Sequence, residues 1–129
     1  MPKFGTRSKE QLATCHVDLQ VLFNTVIEEI DCSVVCGHRN KEDQEKAFDS
    51  GNSKAHYPHG KHNSNPSTAV DVYPYPVDFE DRDRWHYFGC YVLGTARQFG
   101  INVIWGGDWD NDTKTKDNSF DDLVHFELK

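Results

Sequence analysis

Two histidines and one aspartate lie in sequence contexts that favour metal chemistry. His62 belongs to a polar segment, and Asp71 follows it inside the apolar stretch AVDV. A carboxylate within a buried strand is costly unless it is paired or binds a metal. His125 lies at the start of a final alternating strand, in DDLVHFELK. Two imidazoles and one carboxylate with an open fourth position form a catalytic zinc set. We therefore predict His62, Asp71 and His125 as zinc ligands.

Asp122 precedes His125 by three residues and is placed to act as a base beside such a site. Zinc makes water acidic enough to act as a nucleophile near neutral pH. A nearby carboxylate that does not bind the metal can take the proton from this water and pass it to a leaving amine. Spacing alone leaves an alternative open, in which Asp71 caps a turn and His125 is a hydrogen-bonded histidine at a strand end.

The elements that must position these residues are short helices and short strands. Ser8 can cap a helix at SKEQLA. Apolar residues at helical spacing predict helices at 17–30 and 83–99, and Asn40 can cap a third helix through KEDQEKAFDS. The predicted strands lie at 33–37, from 69 to a stop at Pro74, at 102–106 and at 124–128. The pattern indicates a single α+β domain over 1–129, with a small mostly antiparallel sheet and helices packed on one face.

Two polar segments without periodicity, residues 52–68 and 108–122, predict loops. The first contains His62, and long loops in compact domains are often functional. The second contains the alternating residues Asp108, Asp110 and Asp112, but it lacks the Gly and Glu of an EF-hand calcium loop. Either it is a solvated loop, or it borders the zinc cleft and a hard cation such as calcium closes it.

Composition and charge describe an acidic globular chain. The 14 Lys and Arg residues against 21 Asp and Glu residues give a formal net charge of −7. That charge argues against nucleic acid and against an anionic membrane as partners. The N-terminus lacks a signal-peptide pattern. We therefore expect the chain to be made in a cytoplasm and to stay there unless something else releases it.

The four cysteines are expected to be reduced in such a compartment. Cys32 and Cys36 lie in the apolar run CSVVC, where cysteine packs as a small hydrophobe. A second zinc site formed by Cys32, Cys36 and His38 is therefore the less favoured alternative.

Five segments carry motifs in a consistent order: KFGTRSKEQLATCHVDLQVL, CGHRNKEDQEKAF, KHNSNPSTAVDVYPYP, WGGDW and DDLVHFEL. They resemble, in turn, the N-terminus, the G-x-R segment with its following helix, the S-x-H-(x)n-A-x-D signature, the glycine–tryptophan turn and the D-x-x-H-x-E-L motif of the M15 family of zinc peptidases. The similarity is greatest to phage endolysins that act as L-alanyl-D-glutamate peptidases. One departure is Gly60, where the family has Ser.

The resemblance implies a role for each matching residue. His62, Asp71 and His125 would hold zinc (Zn²⁺), Asp122 would act as general acid and base, and Arg39 would polarise the scissile carbonyl. The implied fold is the one shared with the Hedgehog signalling domain. The implied activity is hydrolysis of the L-Ala–D-Glu bond in the peptidoglycan stem peptide. The enzyme would act as a monomer that is made in the host cytoplasm and released through a membrane pore. The alternatives are a D,D- or L,D-carboxypeptidase acting on the stem peptide and a non-catalytic zinc-containing binding module.

Overall fold

The computed structural model describes residues 1–116, 118 and 120–129. The helices are α1 (Thr6–Leu12), α2 (Val17–Glu29), α3 (Lys41–Asp49) and α4 (Arg82–Gln98). The strands are β1 (Cys32–Cys36), β2 (Ala69–Pro74), β3 (Val103–Gly106) and β4 (Asp122–Leu128). A short 3-10 turn, Lys61–Asn63, lies between α3 and β2. In the described part of the chain, no helix combines the length and apolar character of a membrane span.

The four strands form one antiparallel sheet in the order β1-β2-β4-β3. This arrangement confirms the α+β prediction. The register of the central pair places Val70 opposite Phe126 and Asp71 opposite His125. Because side chains alternate between the two faces of a strand, these two neighbouring pairs lie on opposite faces of the sheet.

The core lies between one face of the sheet and helices α2 and α4. Each helix carries an apolar stripe at helical spacing, and the sheet face contributes apolar residues from all four strands. The fully buried members with the largest side chains include Leu19, Leu22, Phe23, Val26, Phe88, Val92, Trp105 and Phe126.

The close approach of α4 to β3 requires a glycine. A Cβ atom at Gly89 would lie 2.3 Å from the indole ring of Trp105, which is completely buried. The absent side chain therefore lets the helix backbone pack directly on the ring, and this contact fixes α4 against the sheet.

Helices α2, α3 and α4 begin at polar caps. The Nδ1 atom of His16 accepts a hydrogen bond from the backbone N–H of Asp18, and the side chains of Asn40 and Asp81 accept equivalent bonds at α3 and α4. Such bonds satisfy amide groups that have no partner within the helix. The predicted cap at Asn40 is confirmed.

The predicted start of α1 is wrong. The helix begins at Thr6, after Gly5, and Ser8 lies inside it. The hydroxyl of Ser8 instead accepts a hydrogen bond of 3.1 Å from the backbone N–H of Val34. This long-range bond ties α1 to β1, which local spacing does not reveal.

Candidate active site

Three predicted ligands converge on one oxygen atom. Asp71 Oδ1 lies 3.2 Å from His62 Nε2 and 3.3 Å from His125 Nδ1. The β2–β4 ladder places Asp71 beside His125, and the 3-10 turn brings His62 to the same point. Both histidines are buried, and the aspartate side chain is 15% exposed.

The second nitrogen of each imidazole has an oxygen partner of its own. His62 Nδ1 lies 2.7 Å from the carbonyl oxygen of Gly37, and His125 Nε2 lies 2.8 Å from Glu127 Oε1. Because these oxygens accept hydrogen bonds, the nitrogens facing them carry protons and donate. Once the imidazoles are neutral, as metal binding requires, the lone pairs of His62 Nε2 and His125 Nδ1 would face Asp71. This donor set fits a divalent metal held by two imidazoles and one carboxylate.

The three candidate ligands shift the pKa of one another. Burial raises the pKa of the Asp71 carboxyl, but hydrogen bonds from His125 and His62 lower it well below its usual range. Burial lowers the pKa of both imidazoles, but the hydrogen bonds with Asp71 outweigh it, raising the pKa of His62 to about 10 and that of His125 to about 9. Metal ligands must be deprotonated, so a metal binding here displaces protons.

Cys36 presents another donor near His62 and Asp71. Its sulfur lies 3.8 Å from His62 Nδ1, and Cys36, His62 and Asp71 present ligand atoms within 4.8 Å of one another. The Cys36 sulfur is near His62 Nδ1, the nitrogen that also contacts the Gly37 carbonyl oxygen. His125, in contrast, contacts Asp71 Oδ1, the oxygen that lies beside His62 Nε2. The site thus offers two sets of three ligands, which differ in whether Cys36 or His125 completes them.

The expectation that both cysteines of CSVVC pack as hydrophobes is correct only for Cys32. Cys32 is buried in the core, and burial raises the pKa of its thiol to about 12. The ring of His38 contacts the backbone oxygen of Ser64. Among the described residues, the alternative grouping of Cys32, Cys36 and His38 does not form.

Arg39 lies beside the candidate ligands and is held in position by a buried amide. Its Nη2 atom is 3.6 Å from Asp71 Oδ2, and its Nη1 atom donates to Gln44 Oε1 at 3.1 Å. Gln44 is completely buried, and its Nε2 atom donates to Ser53 Oγ and to the carbonyl oxygen of Ala55. Gln44 therefore joins Arg39 to the loop that leads toward His62.

The departure at Gly60 has a structural reason. A Cβ atom at this position would lie 2.7 Å from both Asn63 Oδ1 and Gln44 Oε1. The backbone N–H of Gly60 donates to Asn63 Oδ1, and Asn63 Nδ2 donates to Gln44 Oε1. The space that a serine side chain requires is therefore occupied by this hydrogen-bond network.

Asp122 and its neighbour Asp121 have different surroundings. Asp122 lines the same cleft as the candidate ligands. Burial, and then the charge of Asp71, raise the pKa of its carboxyl. Asp121 is bound to Arg82 at 2.8 Å and to Asn118 at 3.1 Å. Asp122 is thus the aspartate of this pair that faces the cleft.

The two tryptophans of WGGDW have separate roles. Trp105 is fully buried in the core, and its Nε1 atom donates to the carbonyl oxygen of Leu123. Trp109 lines the cleft, and its ring centroid lies 5.5 Å from that of His125. One tryptophan therefore supports the sheet and the other forms part of the site wall.

The cleft has a volume of about 340 Å³, large enough for a short peptide segment. Sequence reasoning gave no role to Glu127, which contacts His125, or to Lys54 and Phe120, which line the cleft. The spacing of His125 and Glu127 could have indicated their contact, because residues two apart share one face of a strand.

The acidic loop forms a second group of carboxylates. Asp108, Asp110 and Asp112 present oxygens within 4.8 Å of one another. Asp108 is buried, and its carboxylate accepts bonds from the backbone N–H groups of Asp112 and Thr113. These bonds stabilise the loop as a turn. The effect of a hard cation on activity stays a prediction from the sequence.

Comparison with known proteins assigns the chain to a family. A sequence model of the phage L-alanyl-D-glutamate peptidases matches residues 1–129. The chain belongs to this family. It is a peptidase, and the resemblance drawn from its motifs is confirmed.

A solved structure supports the same assignment. The chain is similar to the L-Ala D-Glu endopeptidase ChiX of Serratia marcescens, with 27% sequence identity and a TM-score of 0.76. The match covers 98% of this chain and 90% of the Serratia chain. No curated protein sequence matches the chain. The family and the fold therefore agree on a peptidase.

Proposed function

We propose that this peptidase is an endolysin that hydrolyses the L-Ala–D-Glu bond of the peptidoglycan stem peptide. The observation that carries the proposal is the convergence of His62 and His125 on one oxygen of Asp71. It occurs in a cleft that also contains a carboxylate and a guanidinium, in a chain of the L-alanyl-D-glutamate peptidase family.

The metal proposed for this site is zinc, held by His62 Nε2, Asp71 Oδ1 and His125 Nδ1. Zinc supplies Lewis acidity when bound and makes water a nucleophile at neutral pH. The contacts of the outer nitrogens with Gly37 and Glu127 support this ligand set, because they fix both imidazoles in the tautomer that a metal requires.

Asp122 is proposed to move the proton. Its carboxyl lines the cleft, and its raised pKa makes it a better proton acceptor than an ordinary aspartate. It would remove a proton from the attacking water and deliver it to the amine nitrogen of the departing D-glutamyl peptide. Asp121 is engaged with Arg82, which supports the choice between the two aspartates.

Arg39 is proposed to stabilise the negative charge that develops on the carbonyl oxygen of the scissile bond. Its side chain lines the cleft and is held by Asp71 and Gln44. A donor fixed in advance needs little reorganisation during the reaction, so its contribution to the transition state is large.

The test is mass spectrometry of peptidoglycan fragments after digestion with the purified protein. We expect fragments with a new N-terminal D-glutamyl residue and glycan chains that retain only L-alanine. Removing metal with a chelator should stop their formation, and added zinc should restore it. Release of single residues from the far end of the stem peptide would instead identify a carboxypeptidase. Absence of any cleavage by zinc-loaded protein would support a binding module.

A further inference from the structure

The substrate in the proposed function carries a free charge beside the scissile bond. A glutamyl residue has two carboxyl groups, and when one continues the peptide the other remains free. A cleft that selects such a residue needs a positively charged donor, because charge-assisted hydrogen bonds are stronger than neutral ones. This inference rests on the proposed function and concerns the residue that recognises this carboxylate.

The cleft wall is rich in cations for so acidic a chain. Although the chain has a net charge of −7, Arg39, Lys54 and Lys61 all line the cleft. Arg39 is already engaged with Asp71. Burial raises the pKa of the Glu127 carboxyl, but the hydrogen bond with His125 lowers it, and the charge of Lys61 lowers it further. Each of these two cations therefore has a carboxylate of the protein near it.

Lys54 differs because its ammonium group lies over an aromatic ring. Its Nζ atom is 4.2 Å from the ring centroid of Phe120. Phe120 stacks on Trp109, whose Nε1 atom donates to the Phe120 carbonyl oxygen at 2.7 Å, and Trp109 lies against His125. A cation–π contact holds an ammonium group without neutralising its charge. The aromatic pair thus places a positive charge along the wall that leads to the candidate metal ligands.

The backbone around Lys54 is also fixed. The residues on either side of it, Ser53 and Ala55, both accept hydrogen bonds from the buried amide of Gln44, at 2.8 and 2.7 Å. Gln44 also binds Arg39. The buried side chain of Gln44 therefore fixes the position of the Arg39 side chain relative to the backbone at Lys54. This reduces the entropy cost of binding a substrate between the two residues.

We propose that Lys54 binds the free carboxylate of the substrate's D-glutamyl residue and makes the enzyme select a carboxylate over a carboxamide. The proposal predicts that two stem peptides differing only in this group are cleaved at different rates. The contact forms on substrate binding, so the difference should appear mainly in KM.

The experiment compares a muropeptide with a free glutamyl carboxylate and the same muropeptide with that group converted to a carboxamide. For zinc-loaded wild type, we expect kcat/KM to favour the carboxylate by roughly tenfold or more, the usual scale for a charge-assisted bond. The Lys54→Met variant keeps an apolar stem on Phe120 but should lose most of this preference. Lys54→Arg should retain it.

Matched variants separate this role from general charge. Lys46 lies on α3 and pairs with Glu42 at the exposed surface, so Lys46→Met should leave the preference unchanged. Equal cleavage of both peptides by wild type would overturn the inference while leaving the proposed function intact. Loss of the preference in Lys61→Met but not in Lys54→Met would also overturn it. Cleavage of neither peptide would overturn the proposed function, and the inference with it.

Discussion

The two faces of the β2–β4 pair carry different kinds of residue. On one face, Val70 lies opposite Phe126, and both are completely buried against α2 and α4. One residue further along β2, Asp71 lies opposite His125 on the other face, together with Glu127. The first face is apolar and closed. The second is lined with titratable groups and opens into the cleft.

This difference explains how a small chain can hold a charged site in place. A strand shifted by one residue would move its apolar side chains to the wrong face, so burial of Val70 and Phe126 fixes the register. The same register places Asp71 beside His125. Hydrophobic burial on one face therefore supplies the stability, and the geometry of the opposite face follows from it. Substitutions on the two faces should accordingly have separable effects.

The largest effect is expected on stability, from a substitution in the core that packs on the apolar face. Phe23 of α2 is completely buried, and its ring lies 5.4 Å from that of Phe126. Phe23→Ala should lower the free energy of unfolding by about 3–5 kcal/mol, the usual cost of such a cavity. Urea unfolding at a fixed zinc concentration measures it. The folded fraction should keep its zinc and its kcat. Loss of zinc from the folded protein would contradict the expectation that substitutions on the two faces have separable effects.

The next largest effect is a loss of activity with no change in stability. Asp122→Asn keeps size and hydrogen bonding but removes the base, and we expect activity to fall by roughly 10²-fold or more. Zinc content and unfolding midpoint should stay near those of wild type. Asp121→Asn is the matched control, and it should have little effect because Asp121 contacts Arg82 and Asn118 outside the cleft. A reversed result would exchange the roles of the two aspartates.

A smaller effect tests whether Glu127 positions His125. Glu127→Ala should weaken zinc affinity by roughly 10- to 100-fold, the range for the outer partner of a metal-binding histidine. Glu127→Gln should restore part of the loss, because its amide oxygen can still accept the bond from His125 Nε2. Competition with a chromophoric chelator gives both affinities. Unchanged affinity in Glu127→Ala would show that this contact does not support the ligand.

Much of the site face could be predicted from local pattern. A carboxylate inside an apolar strand and a histidine inside an alternating strand each stand out in the sequence, and Asp71 and His125 do lie side by side. Helices α2 and α4 could be predicted because their buried residues recur at helical spacing, and α3 could be predicted from its cap at Asn40. These features depend on residues close together in the chain.

Other features depend on long-range contacts. The apolar run CSVVC predicts that Cys36 is a core residue. However, β1 has a bulge between Val34, which lies opposite Val72, and Cys36, which lies opposite Asp71. The extra residue moves Cys36 to the face of the site. The placement of Lys54 likewise depends on Gln44 of α3, which binds the residues on either side of Lys54. The spacing of residues along the sequence cannot predict such contacts.

The most direct test of the account is the zinc content of two single variants. Zinc per chain should be measured by elemental mass spectrometry after gel filtration, for wild type, His125→Ala and Cys36→Ser. The proposed ligand set predicts about one zinc in wild type and in Cys36→Ser, and almost none in His125→Ala. Retention of zinc in His125→Ala together with its loss in Cys36→Ser would contradict the account and assign the metal to Cys36, His62 and Asp71.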